Sequence, residues 1–371
     1  MMIELSERMR ALVQSHLVDA EPYDPMFSPT RINLSANENT YGIPAAVRAH
    51  IDEALAQATL NRYPDAMSND LRDEIAAWHG VRREQVCVCN GGDEGIFNLL
   101  LAFGGAGRTV LTCPPDFSEY AQFAQLLQTS VATVFRDPET MLPDGPALVE
   151  AARKANLAIV TSPNNPTGDL MPLDLVAALC DACPGLVMVD EAYMEFAEPG
   201  ASAIALLDEH PNLVVLRTFS KAFGEAGVRC GYIIAAPDVI DVYAAVRQIY
   251  SVNVLSQAAA LVALRERAAF DKAIATIKRE RERVYTSIEQ LLAGTAAGAR
   301  VWPSSGNFLL VRLPGCASRI RTRLRDEYSI LVRDFSAAPG LADCLRITIG
   351  MPAENDEVLA ALGALVKEEL A

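Results

Sequence analysis

The chain has 371 residues, enough for two domains, and 51% of them are hydrophobic, which supports a large buried core. Its 47 acidic residues outweigh 32 basic ones, and the formal charge of -15 opposes a broad nucleic-acid footprint. No apolar run is long enough to span a bilayer, and the opening "MMIELSERMRALVQS" mixes charges into a helical pattern unlike a secretion signal, so the expected compartment is the cytoplasm.

Residues 1–35 read as an N-terminal arm that starts with a helix and is expected to pack with a small C-terminal domain. From about residue 44, helical and strand patterns alternate in short units, as a mostly parallel sheet covered by helices requires. "PAAVRAHIDEALAQA" opens with a proline suited to a first helical turn, and "SNDLRDEIAAWHG" offers Ser68 or Asn69 as a cap and Gly80 as a stop. The strand candidates are "QVCVC", "TVLTC", "SVATVF", "LAIVTS", "LVMVD", "NLVVLRTF" and "RCGYIIA". Near-continuous apolar strands of this kind are buried on both faces. These segments place a large domain over residues 36–250. Residues 251–371 form the smaller domain. Within it, 254–292 is a charge-rich helical stretch too long for one compact helix unless it bends or bridges domains. After it come the strands "NFLLVRL" and "CLRITI", a helix around "RIRTRLRDEY" and a closing helix "DEVLAALGALVKEEL". The fold class is therefore α/β: a mostly parallel sheet sandwiched by helices, plus a smaller α/β C-terminal domain.

The eight cysteines sit mostly in apolar stretches and show no disulfide-framework spacing. Cys180 and Cys183 have the spacing of half a zinc site. Nothing else in the sequence supplies the other two ligands, so no metal is expected.

Chemistry gathers at predicted strand ends. "CNGGDEGIFNLLLAF" reads as strand, glycine turn and helix, and the free N–H groups at the helix start suit an anion such as a phosphate. The same turn lacks GxxxxGK[ST] and GxGxxG, which lowers the case for ATP and NAD. "SPNNPTG" is explained locally as an Asn-Pro turn, yet it sets Asn165 at the carboxyl end of a buried strand, where open α/β sheets bind ligands. Asp190 and Tyr193 in "LVMVDEAYMEF" occupy the same kind of position, and a half-buried carboxylate needs a cation or a good donor. Lys221 in "TFSKAFGEAGVRCGY" is either a solvated loop residue or an amine placed for Schiff-base chemistry, and Arg229 eight residues on could hold an anion. Taken together, the strand ends look like one site rather than four coincidences.

In this order "NGGDEGI", "SPNNPTG", "DEAYMEF" and "SKAFGEAGVRCGY" resemble the signature segments of fold-type I pyridoxal-phosphate aminotransferases, over nearly the whole chain. Within that superfamily "EPY" at Pro22 and Tyr23, "ANEN" at 36–39, "NRYPD" at 61–65 and the late "LVRDF…CLRITIG" are most similar to histidinol-phosphate aminotransferases. The resemblance implies that Lys221 carries the cofactor and moves the proton, and that Asp190 pairs with the pyridine nitrogen. It implies that Asn165 and Tyr193 bond the ring oxygen, and that Phe117 stacks on the ring. Gly92, Asp93, Ser220 and Arg229 would hold the cofactor phosphate, helped by Tyr63 from a neighbouring subunit, which implies a homodimer with shared sites. Arg346, assisted by Arg333 and Tyr23, would take the substrate anion, with Asn165 close by. The implied partners are an amino donor and a 2-oxo acid, and neither nucleic acid nor membrane.

Three departures stand out: Asp116 where the family usually has Thr, Thr40 where it has Pro after "NEN", and "PYDPMF" in place of "PY.PG". The leading expectation is transamination of L-histidinol phosphate with 2-oxoglutarate. The alternatives are a broader aromatic or other amino-acid aminotransferase and a threonine-phosphate decarboxylase-like enzyme. A sensor domain of a transcription regulator would carry a DNA-binding domain ahead of this pattern, and only about 20 residues precede "EPY".

Overall fold

The computed structural model describes residues 6–18 and 28–370. Tyr23, and with it "PYDPMF", lies outside the described residues. The main body is a seven-stranded sheet built from β2 (Val86–Cys89), β3 (Thr109–Thr112), β4 (Ser130–Thr133), β5 (Leu157–Thr161), β6 (Leu186–Asp190), β7 (Leu213–Thr218) and β8 (Gly231–Ala235). Their order across the sheet is β2-β8-β7-β6-β5-β3-β4. β8 runs against both its neighbours, and every other adjacent pair is parallel.

The apolar runs predict two-sided burial, and the side chains bear this out. Ala158 and Val160 of β5 point into one core with Ile75, Leu148 and Leu179, whereas Leu157 and Ile159 point into another with Ile96, Leu99 and Tyr243. Helices therefore cover both faces. Edge strand β4 is the exception: its other side has no partner strand, and Ser130, Val131 and Thr133 are exposed.

A second sheet joins β1 (Ile32–Leu34), β9 (Arg300–Val301), β10 (Phe308–Arg312), β11 (Ile330–Asp334) and β12 (Cys344–Thr348), in the order β1-β11-β12-β10-β9. β1 pairs in parallel with β11, and the remaining pairs are antiparallel. The arm divides between the two sheets. β1 joins the small sheet, whereas the 3-10 turn Ser15–Leu17 that follows the leading helix meets the large one. Next to the helix Glu7–Leu12, the ring Nε2 of His16 lies 3.2 Å from Leu126 O, at the end of the helix Glu119–Leu126 on the large sheet. That helix end leaves carbonyls without intrahelical donors, and the imidazole meets one of them.

The stretch 254–292 bends, as its length requires. Helix Val254–Arg265 gives way to a 3-10 turn, Arg267–Phe270, before the helix Asp271–Leu292. Phe270 at the bend is fully buried against Phe223. Helix Asn69–His79 stops at Gly80, whose φ of 69° suits a glycine. It starts with Ser68 at the expected cap position, but the Ser68 side chain makes no capping bond; Asp65 accepts from the Met67 and Asn69 amides instead, at 2.9 and 2.8 Å. All eight cysteines are buried free thiols. Among the described residues no helix is long and apolar enough to cross a membrane.

Candidate active site

β5, β6 and β7 run parallel in neighbouring register, so their carboxyl ends open onto one space. Thr161, Asp190 and Thr218 end these strands and line a cavity of about 900 Å³. Gly92, Asp93, Phe117, Asn165, Tyr193, Ser220, Lys221, Arg229, Arg333 and Arg346 line it too. Of the described residues given a cofactor or substrate role from the sequence, only Tyr63 lies elsewhere. It is 80% exposed and stacks on Tyr250, with ring centroids 4.5 Å apart.

Asp190 is the buried acid at the floor. Burial pushes its carboxyl up to about 6, against the lowering effect of hydrogen bonds from Tyr120 and the Ala192 amide. Those donors stand 2.7 and 3.1 Å from Oδ2 and Oδ1. Above that pH it is a carboxylate facing the cavity, able to hold a protonated ring nitrogen.

Lys221 follows β7 in a tight loop and reaches back across the cavity. Its Nζ donates to Ala36 O at 2.9 Å and stands 5.7 Å from the centroid of the Tyr193 ring. Tyr193 is buried, packed edge-on against Phe308 of β10. Asn165 Oδ1 accepts from Arg346 Nη1 at 2.6 Å. A guanidinium has only donors, so the amide oxygen must face it and Nδ2 is left for the cavity.

The anion cup forms at the start of the helix Gly91–Phe103. Gly91 has φ 79°, and a Cβ there would come within 2.6 Å of Arg229 Nη2, so the glycine makes room for the guanidinium. Arg229 itself is left-handed, φ 58°, and its Nη2 meets Asp93 Oδ2 at 2.8 Å. Ser220 sits beside it, its Oγ accepting from Thr218 Oγ1 at 3.0 Å. From the small sheet, Arg333 and Arg346 are direct partners across the antiparallel pair β11/β12 and line the same cavity. Phe335 lies beneath both guanidiniums, at 6.0 and 5.4 Å. Arg346 Nη2 also donates to Ser35 O.

Several site residues escaped the sequence. Tyr120 holds Asp190 and takes a hydrogen bond from Thr161 Oγ1 at 2.8 Å. Its only sequence signal is position, one helical turn after Phe117. Asn37 donates to Tyr193 OH at 3.1 Å, from within the "ANEN" segment that the resemblance marked without a role. Asp116, noted only as a departure, lines the cavity. Burial pushes its carboxyl up to about 7, with Arg136 and the Cys113 amide opposing.

The sequence pattern of aminotransferase class I and II matches residues 29–362. The chain belongs to that family. It is 37% identical over 343 residues to the histidinol-phosphate aminotransferase of Thermococcus gammatolerans, covering 92% of this chain and 94% of that one. Its structure is similar to the histidinol-phosphate aminotransferase of Sinorhizobium meliloti solved with pyridoxal-5'-phosphate: 26% identity, TM-score 0.84, covering 95% of this chain and 97% of that one. It is also similar to the L-threonine-O-3-phosphate decarboxylase of Porphyromonas gingivalis, at 27% identity and a TM-score of 0.78, covering 91% and 99% of the two chains. Class I and II aminotransferases are pyridoxal-phosphate enzymes, and the donor set of this cavity fits that cofactor. One wall offers an amine, the floor a buried carboxyl, and the helix start a glycine-lined cup with an arginine. An amide and a phenol stand between them.

Proposed function

We propose that this aminotransferase moves the amino group of L-histidinol phosphate to 2-oxoglutarate, as a step of histidine biosynthesis in the cytoplasm. The observation that carries the reading is the pairing of Arg333 with Arg346 across β11/β12, on the small sheet, in the same cavity as the Arg229 cup on the large one. One cup suits the cofactor phosphate. The paired arginines, forked and permanently charged, suit the phosphate of a donor that has no carboxylate, and in the second half of the cycle the carboxylate of the oxo acid.

Pyridoxal phosphate, when bound, supplies the carbonyl that takes the amino group and a ring that accepts electron density from the substrate carbon. The chain's residues do the rest. Asp190 holds the proton on the ring nitrogen. Asn165 Nδ2 and the Tyr193 hydroxyl donate to the ring oxygen, and Phe117 packs on the ring face. Gly92 and Asp93 offer backbone N–H groups to the cofactor phosphate, with Ser220 and Arg229. Lys221 Nζ would hold the cofactor and, as a free amine, would take the proton from the amine-bearing carbon of the substrate.

The active unit is a homodimer with shared sites. Tyr63, 80% exposed and outside its own chain's cavity, would reach the partner's cofactor phosphate. Leu60 and Ile249, near in sequence to Tyr63 and its stacking partner Tyr250, are 72% and 73% exposed and add apolar surface suited to a subunit contact. Residues 1–35 serve as an arm, 36–250 as the large domain and 251–371 as the small one.

The likeness to the P. gingivalis enzyme supports a second reading, decarboxylation of a phosphorylated amino acid. Glutamate formed from L-histidinol phosphate and 2-oxoglutarate, and lost in Lys221→Ala, supports the first reading. Carbon dioxide released from O-phosphothreonine with no oxo acid present supports the second.

A further inference from the structure

Tyr193 is held by a chain of protons that begins in the small sheet. The backbone N–H of Asn37 donates to Thr348 Oγ1 at 3.0 Å. That hydroxyl, 1% exposed, spends its own proton on Asn37 Oδ1, also at 3.0 Å. The amide orientation follows: turning it over would leave the buried Thr348 hydroxyl without an acceptor. Nδ2 therefore faces Tyr193 and donates to its oxygen at 3.1 Å. Asn37 is fully buried and left-handed, φ 55°, and the Asn307 amide donates to its carbonyl at 3.1 Å. The whole residue is locked.

A phenol oxygen that accepts from an amide must send its own proton elsewhere. Among the described residues Tyr193 OH has no other acceptor, and its residue lines the cavity. We infer that Asn37 and Thr348 are positioning residues that fix the Tyr193 hydroxyl as a donor into the cavity, toward the ring oxygen of the cofactor. This rests on the cofactor reading above. Lys221 Nζ stands 5.7 Å from the centroid of the Tyr193 ring, and among the described residues the cavity wall also carries Glu38, Asp93, Asp116, Glu119, Asp190, Arg229, Arg333 and Arg346. An anionic ring oxygen that loses its donor holds more charge and favours a proton on the adjacent lysine nitrogen. The pH midpoint of the bound cofactor's absorbance then moves up.

The test uses the full-length, cofactor-loaded chain and Asn37→Asp. Aspartate tolerates the left-handed backbone and accepts the Tyr193 proton instead of donating to it. The expected result is an upward shift of roughly one pH unit in that midpoint, matching Tyr193→Phe. Because Asn37→Asp also adds a charge, the same change is made in the Tyr193→Phe background, where most of the shift should vanish. Thr348→Val adds no charge and should give a smaller shift of the same sign. An unchanged midpoint in Asn37→Asp, or a shift that survives in full without the tyrosine hydroxyl, overturns the positioning role while leaving the cofactor reading intact. Absence of any lysine-linked cofactor absorbance in the unmodified chain overturns both.

Discussion

Tyr120 donates its hydroxyl proton to Asp190 Oδ2 at 2.7 Å, and Thr161 fills the phenol's acceptor side at 2.8 Å. This contact keeps a fully buried carboxyl, raised to about 6, from rising further. In the proposed reading Asp190 would meet the ring nitrogen as a carboxylate, so cofactor affinity should fall as pH drops through its titration. Tyr120→Phe removes a hydrogen bond to a charged group, worth about 1.5–3 kcal/mol, and pushes the carboxyl up. At pH 7 the mutant should bind cofactor about tenfold more weakly, with the acid limb of its binding profile displaced to higher pH. Equilibrium binding between pH 5 and 8 checks this, and an unmoved limb contradicts it.

Glu225 sets a stability prediction. It is buried in the loop between Lys221 and Arg229, and neither carboxylate oxygen has a hydrogen-bond partner among the described residues. Burial pushes it up to about 8. The folded state therefore binds a proton that the unfolded chain releases near 4.5, and stability falls as pH rises from about 4.5 to 8. Glu225→Leu should unfold at a higher temperature than the parent. The gap should be small at pH 5 and widen to on the order of a few kcal/mol by pH 8. Thermal unfolding at the two pH values tests it, and a gap that narrows toward pH 8 would refute it.

Much of the fold was legible because the strands β5 to β7 are buried on both faces and so read as unbroken apolar runs. The strand-end residues Asn165, Asp190, Tyr193 and Lys221 were legible for a related reason: polar groups that interrupt such runs stand out. Tyr120 and Asn37 did not stand out. Each acts through a partner more than 60 residues away in sequence, and a tyrosine on a helix or an asparagine in a loop carries no local mark of that. Glu225 was hidden in the same way, since a carboxylate in a polar loop looks solvated until the loop is folded. The helix cap at Ser68 was legible by position, but the side chain that meets the free amides is that of Asp65, because an Asx-type turn competes with the Ser68 hydroxyl.

Arg333 and Arg346 separate binding from chemistry. Arg333→Gln should raise KM for the phosphorylated donor at least about tenfold with a smaller change in kcat, since it removes one charged fork from the anion. Arg346→Gln should lower both kcat and kcat/KM, because Asn165 loses the donor that orients its amide. Steady-state kinetics with the donor varied distinguishes the two. Equal effects on both parameters in Arg333→Gln would place that residue in the chemistry instead.

Shared sites can be tested by mixing subunits. Tyr63→Phe and Lys221→Ala chains should each be weak or inactive alone. In a heterodimer one site combines an intact Lys221 with an intact Tyr63 from the other chain, so activity should return to roughly half that of the parent, one site in two. Proven subunit exchange without recovery would confine Tyr63 to its own subunit.

The amino donor is read directly from the first half of the reaction. Cofactor-loaded enzyme is mixed with L-histidinol phosphate, without an oxo acid, and the cofactor absorbance is followed as it converts to the aminated form. Fast conversion at low donor concentration, much slower with phenylalanine or histidine, is the predicted result. Conversion only with carboxylated amino acids would contradict it and move the enzyme to a broader amino-acid specificity.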